Sequence, residues 1–151
     1  MSEPLPRPTS TDIRATAVDA LRRGGWMPIT VFLLHVVLSR LLGVYERFPS
    51  TDIPMHVAGG YAIAWFWERA LDAFARGGVV GAPDRVLRMV VVFALVGTAT
   101  VFWEFAEFTG DRLGYTQAQA GLADTMLDMA LGLVGGVLYL GAGPRTRAGS
   151  E

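Results

Sequence analysis

Four long apolar segments constrain this chain more than any other feature, because each is close to the length that crosses a bilayer. They are residues 26–45, 53–75, 86–108 and 121–141. A spanning helix needs roughly 20 mostly apolar residues, and 52% of the residues in this chain are apolar. The segments therefore predict an all-α polytopic membrane protein, a four-helix transmembrane bundle that runs up, down, up and down through short loops.

The residues outside these segments are too few for a second folded domain. Residues 1–9 contain three prolines and are predicted to be disordered. Ser10 or Thr11 can cap a short helix that runs to about Arg23 and lies at the lipid headgroups. One face of that helix carries Ile13, Ala17, Ala20 and Leu21. The predicted units are an arm with an interfacial helix (1–25), a four-span membrane domain (26–141) and a disordered cytoplasmic tail (142–151).

The arginines orient the predicted bundle. All 13 of the Lys and Arg positions are Arg, and ten of them fall in the N-terminal arm, the second connection or the tail. Only Arg40, Arg47 and Arg112 fall on the other side. Because cytoplasmic loops carry an excess of basic residues, the chain is predicted to lie in a bacterial inner membrane with both termini in the cytoplasm.

The outer ends of the spans carry acidic residues at helical spacing, together with one histidine. These residues are Asp52, His56, Glu104, Glu107, Asp111, Asp124 and Asp128. Side chains three or four residues apart share one face of a helix, so each span presents its own group to the bundle. Nearby glycines, Gly59-Gly60, Gly132 and Gly135-Gly136, would let the helices approach closely.

The depth of this cluster in the membrane favours a bound cation. At 1.5 Å per residue, Asp128 lies about 20 Å from Gly141, inside the hydrocarbon layer. A buried carboxylate needs a partner, and oxygen ligands with one imidazole favour Mg, Mn, Ca or Fe(II) over Zn. The predicted metal ligands are His56, Glu104, Asp124 and Asp128. Glu107 or Asp52 would act as the general base.

Two alternatives to a bound cation stay open. The carboxylates could share protons, or Arg40 and Arg112 could neutralise part of the cluster, with Asp111 beside them, as a structural network. Cysteine is absent, which excludes thiolate metal sites and cysteine nucleophiles. No basic run interleaved with aromatic residues indicates nucleic-acid binding.

Several polar and aromatic residues away from the cluster favour structural roles. His35, near mid-depth of the first span, is predicted to make an interhelical hydrogen bond. Glu68, Asp72 and Arg76 step by four residues and are predicted to form a solvated ion-pair ladder at the inner end of the second span. Membrane packing is predicted for Trp65, Trp67, Trp103 and Tyr139.

Three short motifs resemble a known family. They are Asp52-Ile-Pro-Met-His56 with Gly59-Gly60-Tyr61, Trp103-Glu104-Phe-Ala-Glu107, and Asp124-Thr-Met-Leu-Asp128 with Gly132 and Gly136. In this order they resemble the YjdF-like bacterial inner-membrane family of unknown function and, more distantly, VanZ-like membrane proteins. The VanZ-like pattern has Asn where this chain has Asp128, and Gln where it has Glu107. The resemblance implies a four-span fold with a polar site at the outer leaflet, and no particular reaction.

The sequence leaves three functions open. The first is metal-assisted hydrolysis or transfer on a lipid or envelope substrate. The second is a proton or cation pathway, which His35 could extend inward. The third is a non-catalytic assembly or envelope-stress factor that the cluster holds together. The lipid bilayer is the one partner that the sequence predicts, and the oligomeric state is open.

The predicted orientation can be tested with single cysteines, since the native chain has none. A cysteine at Ser50, in the first connection, should react with a membrane-impermeant maleimide in intact cells. A cysteine at Gly78, in the second connection, should react only after the membrane is opened. The reverse pattern would overturn the orientation.

Overall fold

A computed structural model describes residues 9–143, and every regular element in that range is helical. The helices are α1 (Ser10–Gly24), α2 (Trp26–Val36), α3 (Val44–Arg47), α4 (Asp52–Arg76), α5 (Arg85–Arg112) and α6 (Leu122–Gly141). A π-helical turn, Val37–Leu41, extends α2, and a 3-10 turn, Pro49–Thr51, precedes α4. The disorder predicted for the two chain ends lies, apart from residues 9, 142 and 143, outside the described residues.

Two of these helices, α5 and α6, are long and apolar enough to cross a membrane. Helix α1 and the segment formed by α2 and its π-helical extension also pass that test when they are taken together, although a bend of 56° separates them. If this bent pair is one span, the structure has up to three spans. The predicted all-α membrane class is therefore confirmed. The fourth span of the predicted bundle stays a prediction, because α4 does not reach the hydropathy that this test requires.

The lower hydropathy of α4 follows from its central place. It packs against α1, α2, α5 and α6, so that protein rather than lipid covers much of its surface. Its buried residues include Gly60, Ala62, Ala64, Ala70 and Ala73. Small residues let helices approach closely in a membrane. Neighbouring helices therefore cover much of α4, and a helix that is covered by protein does not need the hydropathy of a lipid-facing span.

The backbones of α4 and α6 are in direct contact. A Cβ atom added at Gly60 would lie 1.8 Å from the carbonyl oxygen of Gly132, and one added at Gly135 would lie 2.0 Å from that of Val57. A Cβ atom added at Gly59 would meet nothing within 4 Å. The close approach predicted from the glycines is therefore present at Gly60, Gly132 and Gly135. At Gly59 no other helix comes close to the position of the missing Cβ atom.

Helix α1 begins close to the predicted position, but of the predicted apolar face it buries only Ala20. Its N-terminal cap is Thr9, whose side chain accepts a hydrogen bond from the backbone N–H of Asp12. The predicted apolar face is partly exposed, with Ile13 at 41% and Leu21 at 58%. The residues that α1 buries are Thr16, Ala20 and Gly24. These small residues allow α1 to dock on α4, which the prediction of a helix lying free at the headgroups did not include.

The charged side chains at the C-terminal end of α4 pair with neighbouring helices and not with one another, contrary to the predicted ladder. Asp72 pairs with Arg88 of α5 at 2.5 Å, Arg76 pairs with Asp19 of α1 at 3.6 Å, and Glu68 accepts a hydrogen bond from the hydroxyl of Tyr139 of α6. The spacing of four residues correctly puts these groups on one side of α4. That side faces protein, so their partners come from neighbouring helices.

The two adjacent glycines of α4 give a matched test of the α4–α6 contact. Gly60→Ala should lower the free energy of unfolding by about 1–3 kcal/mol, since the new methyl group must push the helices apart. Gly59→Ala should leave it unchanged or raise it by up to about 1 kcal/mol, because alanine favours helix more than glycine does. Thermal unfolding in detergent micelles measures both. Equal effects of the two substitutions would contradict the contact.

Candidate metal centre

Three side chains meet near the N-terminal ends of α4 and α6. Asp52, His56 and Asp128 each offer a ligand atom, and these atoms all lie within 4.8 Å of one another. The Nε2 atom of His56 is 3.3 Å from Asp52 Oδ1 and 3.6 Å from Asp128 Oδ1. The Asp128 residue is only 4% exposed. One imidazole thus lies between two carboxylates, one of which is removed from solvent.

The glycine contact explains why these residues meet. His56 precedes Gly60 by four residues on α4, and Asp128 precedes Gly132 by four residues on α6. Four residues are about one helical turn. The approach of Gly60 to Gly132 therefore brings the preceding turns together, and with them the imidazole and the carboxylate.

Glu104 of α5 supplies a further buried carboxylate. The residue is 4% exposed, and its Oε2 atom has no hydrogen-bond partner among residues 9–143. Glu104 is near enough to His56 and Asp128 for their charges to act on one another. A buried polar atom without a partner costs about 1–3 kcal/mol, and more when it is charged. Glu104, a predicted metal ligand, lies outside the group of ligand atoms within 4.8 Å of one another that Asp52, His56 and Asp128 form, and its Oε2 atom is left without a hydrogen-bond partner in residues 9–143.

The arginines near the site do not neutralise it. Arg40, in the π-helical turn, donates a hydrogen bond of 3.0 Å to the carbonyl oxygen of Tyr115. Arg112 lies over the ring of Phe108, at 5.2 Å from the ring centroid. Within residues 9–143, the ion pairs that involve arginine all have Asp19 or Asp72 as the acid. Neither Arg40 nor Arg112 thus forms an ion pair with the acids of the cluster within residues 9–143, although the charge of Arg40 acts on Asp111, and the predicted network stays a prediction.

Two of the predicted acids order the backbone beside the site. Asp111 accepts hydrogen bonds from the backbone N–H groups of Ala118 (2.9 Å) and Gln119 (3.0 Å), and from the hydroxyl of Thr116. Asp124 accepts one from the backbone N–H of Ala120 at 3.1 Å. Both lie outside the group formed by Asp52, His56 and Asp128. Their carboxylates hold the connection between α5 and α6 in place.

Two aromatic residues position polar groups at the same end of the bundle, and sequence reasoning did not find them. The Nε1 atom of Trp103 donates a hydrogen bond of 2.8 Å to Glu107, the predicted general base. The Nδ1 atom of His35 lies 3.0 Å from the hydroxyl of Tyr45, and the ring of His35 packs edge-on against Trp103. Trp103 and Glu107 are four residues apart, a spacing that could have indicated their hydrogen bond. The Tyr45 contact depends on the turn after α2 and has no comparable signal.

A cavity of about 370 Å³ adjoins the site. It lies between α2, α4, α5 and α6, and both His35 and His56 are in its wall. Gly59, Gly60 and Gly132 also line it. Small-molecule sites in proteins are typically cavities of about 300–1,000 Å³ with a mostly apolar lining. The site therefore has space for a ligand next to its imidazole.

Comparison with known proteins gives a family but no function. Residues 21–148 match the family model described as "Predicted membrane protein (DUF2238)". An uncharacterized protein of Thermotoga maritima is 36% identical over 104 residues, which are 68% of this chain and 52% of that protein. The chain thus spans about half the length of this relative. No solved structure matches the chain. The resemblance to VanZ-like proteins stays a prediction.

The structural role of Asp111 can be separated from metal binding. Asp111→Ala removes the acceptor of two backbone hydrogen bonds, and each hydrogen bond to a charged group contributes about 1.5–3 kcal/mol. Amide exchange at Ala118 and Gln119 should therefore become at least about ten times faster, with an unchanged metal content. Exchange mass spectrometry and elemental analysis measure the two effects. Loss of metal with unchanged exchange would instead make Asp111 a ligand.

Proposed function

This chain belongs to the DUF2238 family of predicted membrane proteins, and we propose that it binds a divalent cation between Asp52, His56 and Asp128. The observation that carries this proposal is the meeting of their three ligand atoms within 4.8 Å, beside the unpartnered buried oxygen of Glu104. In this proposal Glu104 is the fourth protein ligand. Asp52 joins the ligands in place of Asp124, whose carboxylate accepts a hydrogen bond from the backbone N–H of Ala120 before α6 and lies outside the group of three.

Charge balance supports a cation at this place. An ionised carboxylate inside a bilayer costs several kcal/mol unless a partner compensates for it. Asp128 and Glu104 are both 4% exposed, and the ion pairs with arginine in residues 9–143 lie elsewhere. A divalent cation would compensate two of these charges at once. Carboxylate oxygens with a single imidazole favour Mg²⁺, Mn²⁺, Ca²⁺ or Fe(II), while Zn²⁺ usually has more nitrogen or sulfur ligands.

The proposed activity is metal-assisted hydrolysis or transfer on a lipid or envelope substrate. A bound divalent cation polarises a carbonyl or phosphoryl oxygen and lowers the pKa of a bound water. Glu107 would take up the proton of the attacking group. Its hydrogen bond from Trp103 supports this role because it holds the carboxylate in one orientation.

The proposal includes the placement of the chain in the membrane. We propose that α4 is a fourth span, that both termini are cytoplasmic in a bacterial inner membrane, and that the site faces the outer side. The packing of α4 among α1, α2, α5 and α6 supports its crossing, and the positions of the arginines support the orientation. Asp52 and Leu122, the first residues of α4 and α6, would then lie at the outer surface.

A proton pathway has less support. It would have to connect His56 with the buried pair of Glu68 and Tyr139. The stretch of α4 between them buries Gly60, Ala62 and Ala64, and the buried Nε1 atom of Trp65 on the same stretch has no hydrogen-bond partner in residues 9–143, so it does not pass a proton to a neighbour. A non-catalytic role in assembly would leave the buried Oε2 atom of Glu104 without a partner in residues 9–143.

Metal content tests the proposal. The full-length protein, purified in mild detergent, should carry about one divalent cation per chain. Excess Mn²⁺ should raise the melting temperature, since a ligand present at a hundred times its Kd stabilises the folded state by about 2.7 kcal/mol. Asp128→Asn and Asp52→Asn should lose both the metal and this stabilisation.

Asp19→Asn is the matched control for the same chemical change. Asp19 pairs with Arg23 and Arg76 at the opposite end of the molecule, so its variant should bind metal and respond to Mn²⁺ like the native protein. A native protein without metal, whose melting temperature does not respond to any of the proposed cations, would refute the proposed function.

A further inference from the structure

The cavity beside the candidate metal centre is an elongated groove with one polar end. Along α4 its wall extends from Met55 to Ile63, eight residues or about 12 Å. His35, His56 and Trp103 lie at the outer end, whereas Ile63 and Val96 lie toward the inner end. Thr100, the remaining polar residue in the wall, already donates its hydroxyl to the carbonyl oxygen of Gly97 at 2.8 Å. The inner part of the groove therefore offers only apolar contacts.

The groove opens sideways between two helices. α2 packs against α4 and not closely against α5, and α2 and α5 touch where Phe32 meets Trp103. Ile29 and Phe32 line the groove and are also 57% and 50% exposed. Residues that belong to both the wall and the outer surface mark its opening. In a membrane protein this opening faces the hydrocarbon of the bilayer.

Gly59 keeps the groove open. A glycine inside a helix costs about 1 kcal/mol relative to alanine, so it normally serves close packing. Gly60 serves that purpose, but a Cβ atom at Gly59 would meet nothing within 4 Å. Gly59 lies in the wall of the groove, less than one turn from His56. The missing side chain therefore gives the groove its width beside the imidazole.

We propose that the groove binds the alkyl chain of a membrane lipid and places its phosphate headgroup at Asp52, His56 and Asp128. The apolar inner part matches a hydrocarbon chain, and the lateral opening admits one from the bilayer without passage through water. The polar end matches a headgroup. Because that end is acidic, an anionic phosphate is held there through a divalent cation, so the headgroup part of this inference rests on the proposed function.

Photolabelling tests the inference. The probe is dodecyl phosphate with a diazirine at the end of its chain, added with Mn²⁺ to the full-length protein in phosphatidylcholine vesicles. The label should appear at the inner end of the groove, on Ile29, Ile63 or Val96. Gly59→Phe and Ala99→Phe each place a ring in the groove and should lower labelling by about ten-fold, the loss expected when about two methylene groups are displaced.

Two controls separate occupancy from folding. Val101→Phe places the same ring on the exposed side of α5, where Val101 is 39% exposed, and should be labelled like the native protein. Gly59→Ala adds only a methyl group, and its melting temperature shows whether α4 tolerates a side chain at this position. Should Gly59→Phe fail to fold, Ala99→Phe makes the same test from the opposite wall.

The outcomes distinguish this inference from the proposed function. Three results would overturn the groove as a lipid site, whatever the metal content. They are native levels of labelling in both phenylalanine variants, labels outside the groove, and crosslinks between two copies of the chain at these positions. Labelling that is retained in Asp128→Asn and no longer depends on Mn²⁺ would support the groove and overturn the metal-held headgroup.

Discussion

The direct contact between the backbones of α4 and α6 determines most of what this protein presents to its surroundings. A Cβ atom at Gly60 would collide with the backbone of Gly132, and one at Gly135 with the backbone of Val57, which sets the register of the two helices. One turn toward the N-terminal ends, that register joins His56 to Asp128. Toward the C-terminal ends it joins Glu68 to Tyr139. Two polar contacts at opposite ends of the bundle thus depend on one contact between residues that have no side chains.

The register has an electrostatic consequence because the arginines are distributed unequally. At the C-terminal end of α4, Arg88 and Arg76 pair with acids on neighbouring helices, and Arg69 lies 3.0 Å from the ring centroid of Trp65, in a cation–π contact. At its N-terminal end, Arg40 donates a hydrogen bond to a backbone carbonyl, and Asp128 has histidine as its only ion-pair partner in residues 9–143. The unequal distribution of arginines along the sequence thus leaves Asp128 buried without an arginine partner in the described residues.

The sequence predicts the helices well and the grouping of the acids less well, for a physical reason. Spacing along one helix shows which side chains share a face, and it correctly paired Asp52 with His56. It does not show which carboxylate a neighbouring helix brings close. Asp124 was therefore predicted as a ligand and Asp52 as a general base, whereas the structure groups Asp52, and not Asp124, with His56 and Asp128. Hydropathy likewise describes one segment at a time and does not show which neighbouring helices will enclose it. α4 is the most enclosed helix, yet it falls short of a spanning segment by composition, since its small and charged residues face protein.

Gly59 and Gly60 show the limit of a prediction that is made from a short sequence pattern. As a dipeptide they indicate a close helix contact, and the sequence gives no reason to treat them differently. Successive residues on a helix point about 100° apart, so one faces α6 and the other faces the space between α4 and α2. On the side of Gly60, α4 packs closely on α6 and brings the carboxylates together. On the side of Gly59, the missing side chain leaves room beside His56. The Asp52–His56–Asp128 group and the groove therefore depend on neighbouring residues of one helix, and a change in the α4–α6 contact would alter both together.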